Sequence, residues 1–284
     1  MDIYSDISNL KNKYDVCILA FATHIHPTRD VSIYADLVEQ LDIKAIVISA
    51  GIKDYDENIS LNYKLHPSIY KILRKAAESS QWIGVRGHYS ASVLRSNGFK
   101  NVVPIGCPSM YWTLDENVHI EKPARFSKPL ISYHRMIALN SYDFIRSLTL
   151  LGQDFQDQIV FTNTLKDDTS LMQYIEMSYS VNGVHLRDKI FDTIKANGVF
   201  IFRFKEWFDF IGEHDFVVGS RLHGTIASLI QGNPAVLVVR DLRTREIAEF
   251  YHIPSVTFND LNENSIEDIY RQADFTKFND VYAL

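Results

Sequence analysis

Short apolar runs alternate with amphipathic stretches along nearly the whole chain. The apolar runs predict strands at Asp15–Phe21, Lys44–Ser49, Trp82–Val85, Asn101–Ile105, Pro129–Tyr133, Gln158–Phe161, Val199–Phe202, Asp215–Val218 and Ala235–Val239. Between them, helical spacing of apolar residues predicts helices at Val31–Leu41, Ser68–Ser79, Tyr89–Ser96, Ser141–Leu151, Leu171–Ser178, Leu186–Ala196, Phe204–Ile211, Thr225–Gln231 and Thr244–Tyr251. Strands alternating with helices imply the α/β class, with parallel sheets covered on both faces. Ligand-binding residues then belong at the carboxyl ends of the strands, where the loops gather.

The alternation breaks between Met110 and Lys128, a stretch holding Asp115, Glu116, Glu121, Lys122 and Pro123. It reads as a linker between two Rossmann-like domains. The expected boundaries are an N-terminal domain over residues 1–120, a C-terminal domain over 121–258 and a tail over 259–284. The tail carries one further helical stretch, Ser265–Gln272, expected to pack back on the first domain.

The sharpest chemical signal is Gly219-Ser220-Arg221-Leu222-His223-Gly224. It follows an apolar strand and opens a small-residue helix that stops at Gly232-Asn233-Pro234. Backbone N–H groups and the helix dipole favour an anion at such a helix start. Ser220 is expected to cap the helix, and the glycines to let a ligand approach the backbone. Arg221 offers a forked donor set for a carboxylate or phosphate, and His223 can bind an anion or move a proton. The bland alternative pairs Arg221 with a neighbouring carboxylate.

Val85-Arg86-Gly87-His88-Tyr89-Ser90 repeats the same order of strand, arginine, glycine and helix. Arg86 reads equally as a ligand contact or an interdomain ion pair. His134-Arg135 follows a third strand, and Thr23-His24-Ile25-His26 follows the first. Asp241-Leu242-Arg243-Thr244-Arg245-Glu246 reads as a structural ion network. No glycine precedes Gly51, so the first strand lacks the glycine-rich turn of a dinucleotide site. No spacing typical of metal ligands, no Walker loop and no Gly-x-Ser-x-Gly elbow occurs. Asp167-Asp168 lies in a loop before a helix and is not read as a metal site.

Composition narrows the classes. The net charge of -6 argues against a general nucleic-acid binder. Two cysteines, Cys17 and Cys107, make no disulfide framework and fit a reducing cytosol. No apolar run reaches the ~18 residues of a membrane span. The acidic start lacks a signal-peptide core, so a cytoplasmic location is expected, with peripheral membrane association open.

Taken in order, these stretches resemble the polysaccharide pyruvyl transferase family. The matching residues are Ile83-Gly84-Val85-Arg86-Gly87 to Leu94, Gly98, Asn101-Val102 and Ile105-Gly106-Cys107-Pro108-Ser109. In the second half they are Gly219 to Gly224, Gly232-Asn233-Pro234, and Asp241, Arg243 and Glu246 ahead of Ile253-Pro254. The resemblance implies two Rossmann-like domains facing a cleft, as in GT-B glycosyltransferases, with the N-terminal domain on the acceptor side and the C-terminal domain on the donor side. It implies transfer of a pyruvyl group from phosphoenolpyruvate to a sugar of a surface polysaccharide, exopolysaccharide or capsule. The product is a pyruvate ketal, with phosphate released. The acceptor is a glycan or lipid-linked oligosaccharide, and no metal or further cofactor is implied. Donor binding is carried over to Gly219, Ser220, Arg221, Leu222, His223 and Gly224, with Arg86 and Arg135. His223 is expected to be the general acid and His24 or His26 to handle the sugar hydroxyl. The chain departs from the family in a first domain expected to be shortened at its start, and in His88 where an acidic residue is usual. Two other readings remain: a nucleotide-sugar glycosyltransferase of GT-B type, and a non-catalytic glycan-binding member.

Overall fold

A computed structural model of the protein describes residues 7–52, 63–162, 173, 177, 180–181, 184–185 and 187–282. The chain forms two compact units. The first comprises Met1–Pro108 with Asp241–Tyr251, and the second comprises Ser109–Arg240 with His252–Leu284.

In the first unit, β1 (Val16–Ala20) pairs in parallel with β2 (Lys44–Ile48), and β3 (Ile83–Val85) with β4 (Val102–Pro104). A parallel bridge between Ala50 and Val85 joins the two pairs into the order β1-β2-β3-β4. β3 is buried throughout, because helices cover both faces of a parallel sheet. The helices Ser32–Leu41, Pro67–Ser79 and His88–Ser96 follow the apolar periodicity of the sequence and turn Ala35, Ile69, Ile72, Leu73, Val93 and Leu94 into the core.

The second unit is a six-stranded parallel sheet. Its strands are β5 (Pro129–Ser132), β6 (Thr149–Gly152), β9 (Gly198–Phe200), β10 (Phe216–Gly219), β11 (Ala235–Val238) and β12 (Ser255–Val256). A small antiparallel pair, β7 (Ser180–Val181) and β8 (Val184–His185), stands apart. The order in the large sheet is β12-β11-β10-β5-β6-β9. After β5 the chain winds outward through β6 to β9; after β10 it winds the other way to β11 and β12. The two central strands therefore bound a topological switch point, where a crevice opens beyond the strand ends.

Two predicted elements change type. Thr149–Gly152, read as the end of a helix, is a strand, and Phe155–Thr162, whose second half read as a strand, is a helix. β6 lies between two other strands, so its Leu150-Leu151-Gly152 run is buried on both faces and carries no period. The helix after it is started by a reciprocal capping box. Asp157 N–H donates to Asp154 Oδ1 (3.2 Å) and Asp154 N–H to Asp157 Oδ2 (3.3 Å). That box overrides the strand preference of Ile159-Val160-Phe161. Asp167-Asp168 and most of the predicted helix Leu171–Ser178 lie outside the described residues.

The domain boundaries also differ from expectation. The stretch taken as a linker belongs to the second unit, and so does the tail expected on the first domain. Asn279 binds Ile120 in both directions (2.9 and 3.1 Å), and the Tyr282 hydroxyl donates to Met110 O (2.7 Å). The Lys122 ammonium donates to the carbonyls of Tyr270, Arg271 and Ala273 (2.7–3.2 Å), a cation on a helix carboxyl end. Its charge is absorbed by the fold, which composition alone did not reveal. Conversely, the helix Leu242–Tyr251 returns to the first unit, where Tyr251 Oη accepts from Cys107 N–H (3.0 Å).

Candidate functional site

The strand ends at the switch point carry a cluster of polar groups. Gly219 of β10 is in register with Ser132 of β5. One carbonyl, Ser132 O, accepts from Ser220 N–H (2.9 Å), Arg221 N–H (3.2 Å) and the Ser220 hydroxyl (3.0 Å). Ser220 Oγ in turn accepts from His134 N–H (2.9 Å). Ser220 thus stitches the loop after β5 to the loop after β10 and does not cap the helix. The N-cap of Leu222–Leu229 is Arg221, whose side chain makes no cap hydrogen bond, and no side chain among the described residues accepts from that helix start. Its first turn keeps its dipole and N–H groups for another partner.

Gly219 and Gly224 serve packing. A β-carbon at Gly219 would press on Thr225 Cβ (3.0 Å), and one at Gly224 would reach Ser132 Cβ (2.6 Å) and Gln153 Nε2 (2.8 Å). These glycines seat the helix against β5 and β10; the space beside them is filled by protein atoms, not left for a ligand. Leu222 is buried in the same packing. His223, one residue on, is exposed.

Arg221 forms an ion pair with Asp154 and lies 4.0 Å from Asp157. The carboxylate expected as its bland partner is therefore present. Asp157 is almost fully enclosed, and burial raises its pKa to about 7 against the opposing pull of the Gln153 N–H and the Arg135 charge. On the other side, His134 caps the helix Arg135–Asn140, its Nδ1 accepting from Met136 N–H (3.2 Å), while Nε2 lies 2.6 Å from Arg240 Nη1. Arg135, Arg221, Arg240 and His134 thus gather at one switch point, opposed by Asp154 and a half-neutral Asp157. Gln153, Asp154, Asp157 and Arg240 were missed from the sequence. Arg240 follows the strand Ala235–Val238 closely, the same strand-then-arginine signal that marked Arg86.

Asp157 supplies a pH test. The folded state holds its proton more tightly than the unfolded chain, so the native state is penalised increasingly as pH rises from about 4 to about 7. The full penalty is on the order of 4 kcal/mol. Asp157→Asn is expected to stabilise the protein by an amount that grows across that window and levels off above it. Denaturant midpoints measured across pH check this; a parallel shift at every pH contradicts it.

In the first unit, the second arginine turn is built differently. Arg86 lies at the end of β3, 4% exposed, with Nε donating to Ser49 O (3.3 Å) and Nη1 without a hydrogen-bond partner among the described residues. Burial pulls its pKa below the ordinary arginine value. The helix start beside it is already occupied: Glu246 accepts from Ser90 N–H (2.5 Å) and the Ser90 hydroxyl (2.7 Å). Gly87 makes room for this carboxylate, since a β-carbon there would lie 3.0 Å from Glu246 Cδ and Oε1. Burial raises the Glu246 pKa against the pull of Ser90 and Arg86. Arg243 pairs with Asp241 (3.3 Å). The run Asp241–Glu246 is thus the structural network its pattern suggested, and its glutamate fills the anion position of the Arg86 turn.

The two N-terminal histidines differ. His26 Nδ1 accepts from Thr28 N–H (3.3 Å) and contacts the Thr28 hydroxyl (3.0 Å), closing a local turn. His24 stacks on Phe21 (5.0 Å), and its buried Nδ1 has no hydrogen-bond partner among the described residues. Burial, then the Arg29 charge, holds its pKa below the usual histidine value, so the ring is neutral at neutral pH.

Among the described residues no helix is long and apolar enough to cross a membrane. The model of the polysaccharide pyruvyl transferase family matches residues 3–242. Among solved structures, a UDP-GlcNAc 2-epimerase from Methanocaldococcus jannaschii, in complex with UDP-GlcNAc and UDP, superposes with a TM-score of 0.51 at 12% identity, covering 98% of this chain and 78% of that one. A putative UDP-N-acetylglucosamine 2-epimerase from Listeria monocytogenes gives 0.48 at 10% identity, covering 100% and 78%. The first likeness shows the fold, α/β and GT-B-like with parallel sheets. No curated protein sequence matches the chain.

Proposed function

Because the chain belongs to the polysaccharide pyruvyl transferase family, we propose that its switch-point cluster binds phosphoenolpyruvate and passes the pyruvyl group to a sugar as a ketal. The observation that carries the reading is the uncapped helix start at Leu222 with three arginines and His134 gathered beside it. Phosphoenolpyruvate presents a carboxylate and a phosphate a few bonds apart, so it needs several forked donors at once. Each charge-assisted hydrogen bond contributes about 1.5–3 kcal/mol, and a few of them support micromolar to millimolar affinity. Arg221 exchanges Asp154 for the donor, and a half-protonated Asp157 opposes it with less than a full charge.

His223 stands exposed on the first helical turn and delivers a proton to the donor methylene, which becomes a methyl group. The central carbon takes on cationic character and a sugar hydroxyl adds to it, losing its proton to a base. Phosphate then leaves with the electrons of its C–O bond, and a second hydroxyl of the sugar closes the ketal, its proton passing to the departing phosphate. Of the two N-terminal histidines, His24 is the one suited to accept a proton, since burial holds its pKa below the usual histidine value and its Nδ1 has no hydrogen-bond partner among the described residues. The acceptor is a glycan or lipid-linked oligosaccharide, and the location is the cytoplasm.

Phosphate release from phosphoenolpyruvate, dependent on an acceptor glycan, tests the reading. Uridine diphosphate release from a nucleotide sugar would instead favour a glycosyltransferase, and absence of binding at millimolar phosphoenolpyruvate a glycan-binding role. His223→Gln is expected to lower kcat by about 10²–10³-fold with little change in donor affinity; full turnover would remove the acid assignment.

A further inference from the structure

Beside the anion cluster, within the second unit, lies a cavity of about 450 Å³, inside the usual range of small-molecule sites. Its wall is aromatic. The helix Phe204–Gly212 places Phe204, Trp207 and Phe208 on one face, at spacings of three and four residues. Trp112 packs edge-on against Phe204 with ring centres 4.9 Å apart, and Phe204 lies 5.9 Å from both Trp207 and Phe208. Trp112 stays 63% exposed and Phe204 52%, so broad ring surface remains open to a ligand. The charges of this helix are spent elsewhere, Arg203 on Glu206 (3.1 Å) and Lys205 on Asp209 (2.6 Å). Of the described residues lining the cavity, only His223 is ionisable.

The polar lining comes from Ser109, Gln153 and His223. Gln153 Nε2 donates to Ser132 Oγ (2.5 Å), which holds the amide in place at the end of β6. Gln153 and His223 also belong to the loops that build the anion cluster, so the cavity opens on the same strand ends. Its occupant is neutral, has an apolar face for the rings, and carries hydroxyls or amides on its rim for the polar edge. An isoprenoid chain would leave that polar edge unanswered, and a charged ligand would find no counter-charge among the described residues of the wall.

We infer that this cavity is the acceptor subsite, holding one pyranose of the glycan with its C–H face on Phe204, Trp207 and Trp112 and its hydroxyl rim toward Gln153 and His223. The inference rests on the transferase reading above, and it places the reacting diol next to the proton donor. Phe204, Trp207 and Trp112 are positioning residues.

The test uses the full chain with Trp82→Phe, leaving Trp112 and Trp207, both in the cavity wall, as the fluorescent reporters. It is titrated with methyl glycosides of glucose, galactose, mannose and N-acetylmannosamine, and separately with uridine and a short polyprenyl phosphate. At least one glycoside is expected to change the emission, and Phe204→Ala to weaken that response about tenfold. In turnover assays, Phe204→Ala and Trp207→Ala are expected to raise acceptor KM about tenfold while donor KM stays put, and Trp207→Phe to restore most of the loss. Silence toward every glycoside, a response to uridine or polyprenyl phosphate alone, or an unchanged acceptor KM overturns the inference. Donor calorimetry separates the two readings. Phosphoenolpyruvate binding without glycoside binding fails the subsite alone, and glycoside binding without phosphoenolpyruvate binding fails the transferase reading alone.

Discussion

Arg221→Ala is expected to lower kcat/KM for phosphoenolpyruvate by about 10²–10³-fold, the usual cost of removing one preorganised donor from a developing anion. Arg221 is the only one of the clustered arginines that also forms the N-cap of the uncapped helix start, and it is pinned there by its N–H on Ser132 O. Arg221→Lys keeps the charge but loses the fork, and should recover only part of the rate. Asp154 provides the converse. If its carboxylate stands in for a donor oxygen in the unliganded protein, Asp154→Asn should bind phosphoenolpyruvate more tightly in calorimetry. If Arg221 exists only to satisfy Asp154, Arg221→Ala will leave donor affinity within a factor of about three, and Asp154→Asn will not improve it.

Glu246→Ala carries the largest expected loss of stability, about 3–5 kcal/mol by denaturant unfolding. Glu246 is 3% exposed and satisfies two donors of Ser90 at the start of the helix His88–Ser96. Its removal leaves those donors unmet and withdraws a carboxylate whose charge acts on the buried Arg86. Glu246→Gln retains an acceptor oxygen and should recover about half of the loss. Because the helix Leu242–Tyr251 is the segment that returns to the first unit, the alanine variant is also expected to become sensitive to proteolysis near residue 241. A Glu246→Ala protein as stable as the parent would mean that Ser90 finds another acceptor.

Much of the site was legible before any fold was known. The order of strand, arginine and helix start is a local property, and the loops carrying His134-Arg135 and Ser220-Arg221 meet at the ends of neighbouring central strands, with His223 on the helix that follows. Other details were not legible because they depend on what lies opposite. Ser220 looked like a cap but binds across to β5, since parallel pairing brings Ser132 O within its reach. Gly219 and Gly224 looked like room for a ligand but are filled by Thr225, Ser132 and Gln153. The exchange of strand and helix around β6 hid Gln153, Asp154 and Asp157, because a central buried strand carries no period.

The Arg86 and Arg221 turns show the division most clearly. Their local sequences share one plan, and the sequence by itself determined that plan, the α/β class and the positions of the arginines at strand ends. Only the tertiary structure decided that Glu246, more than 150 residues along the chain, fills the helix start beside Arg86, while no side chain among the described residues fills the one beside Arg221. Periodicity and turn chemistry act over a few residues and can be read from a string. Which carboxylate neutralises a helix start depends on packing between distant segments, so the choice between a closed structural pair and an open anion site is made by the fold.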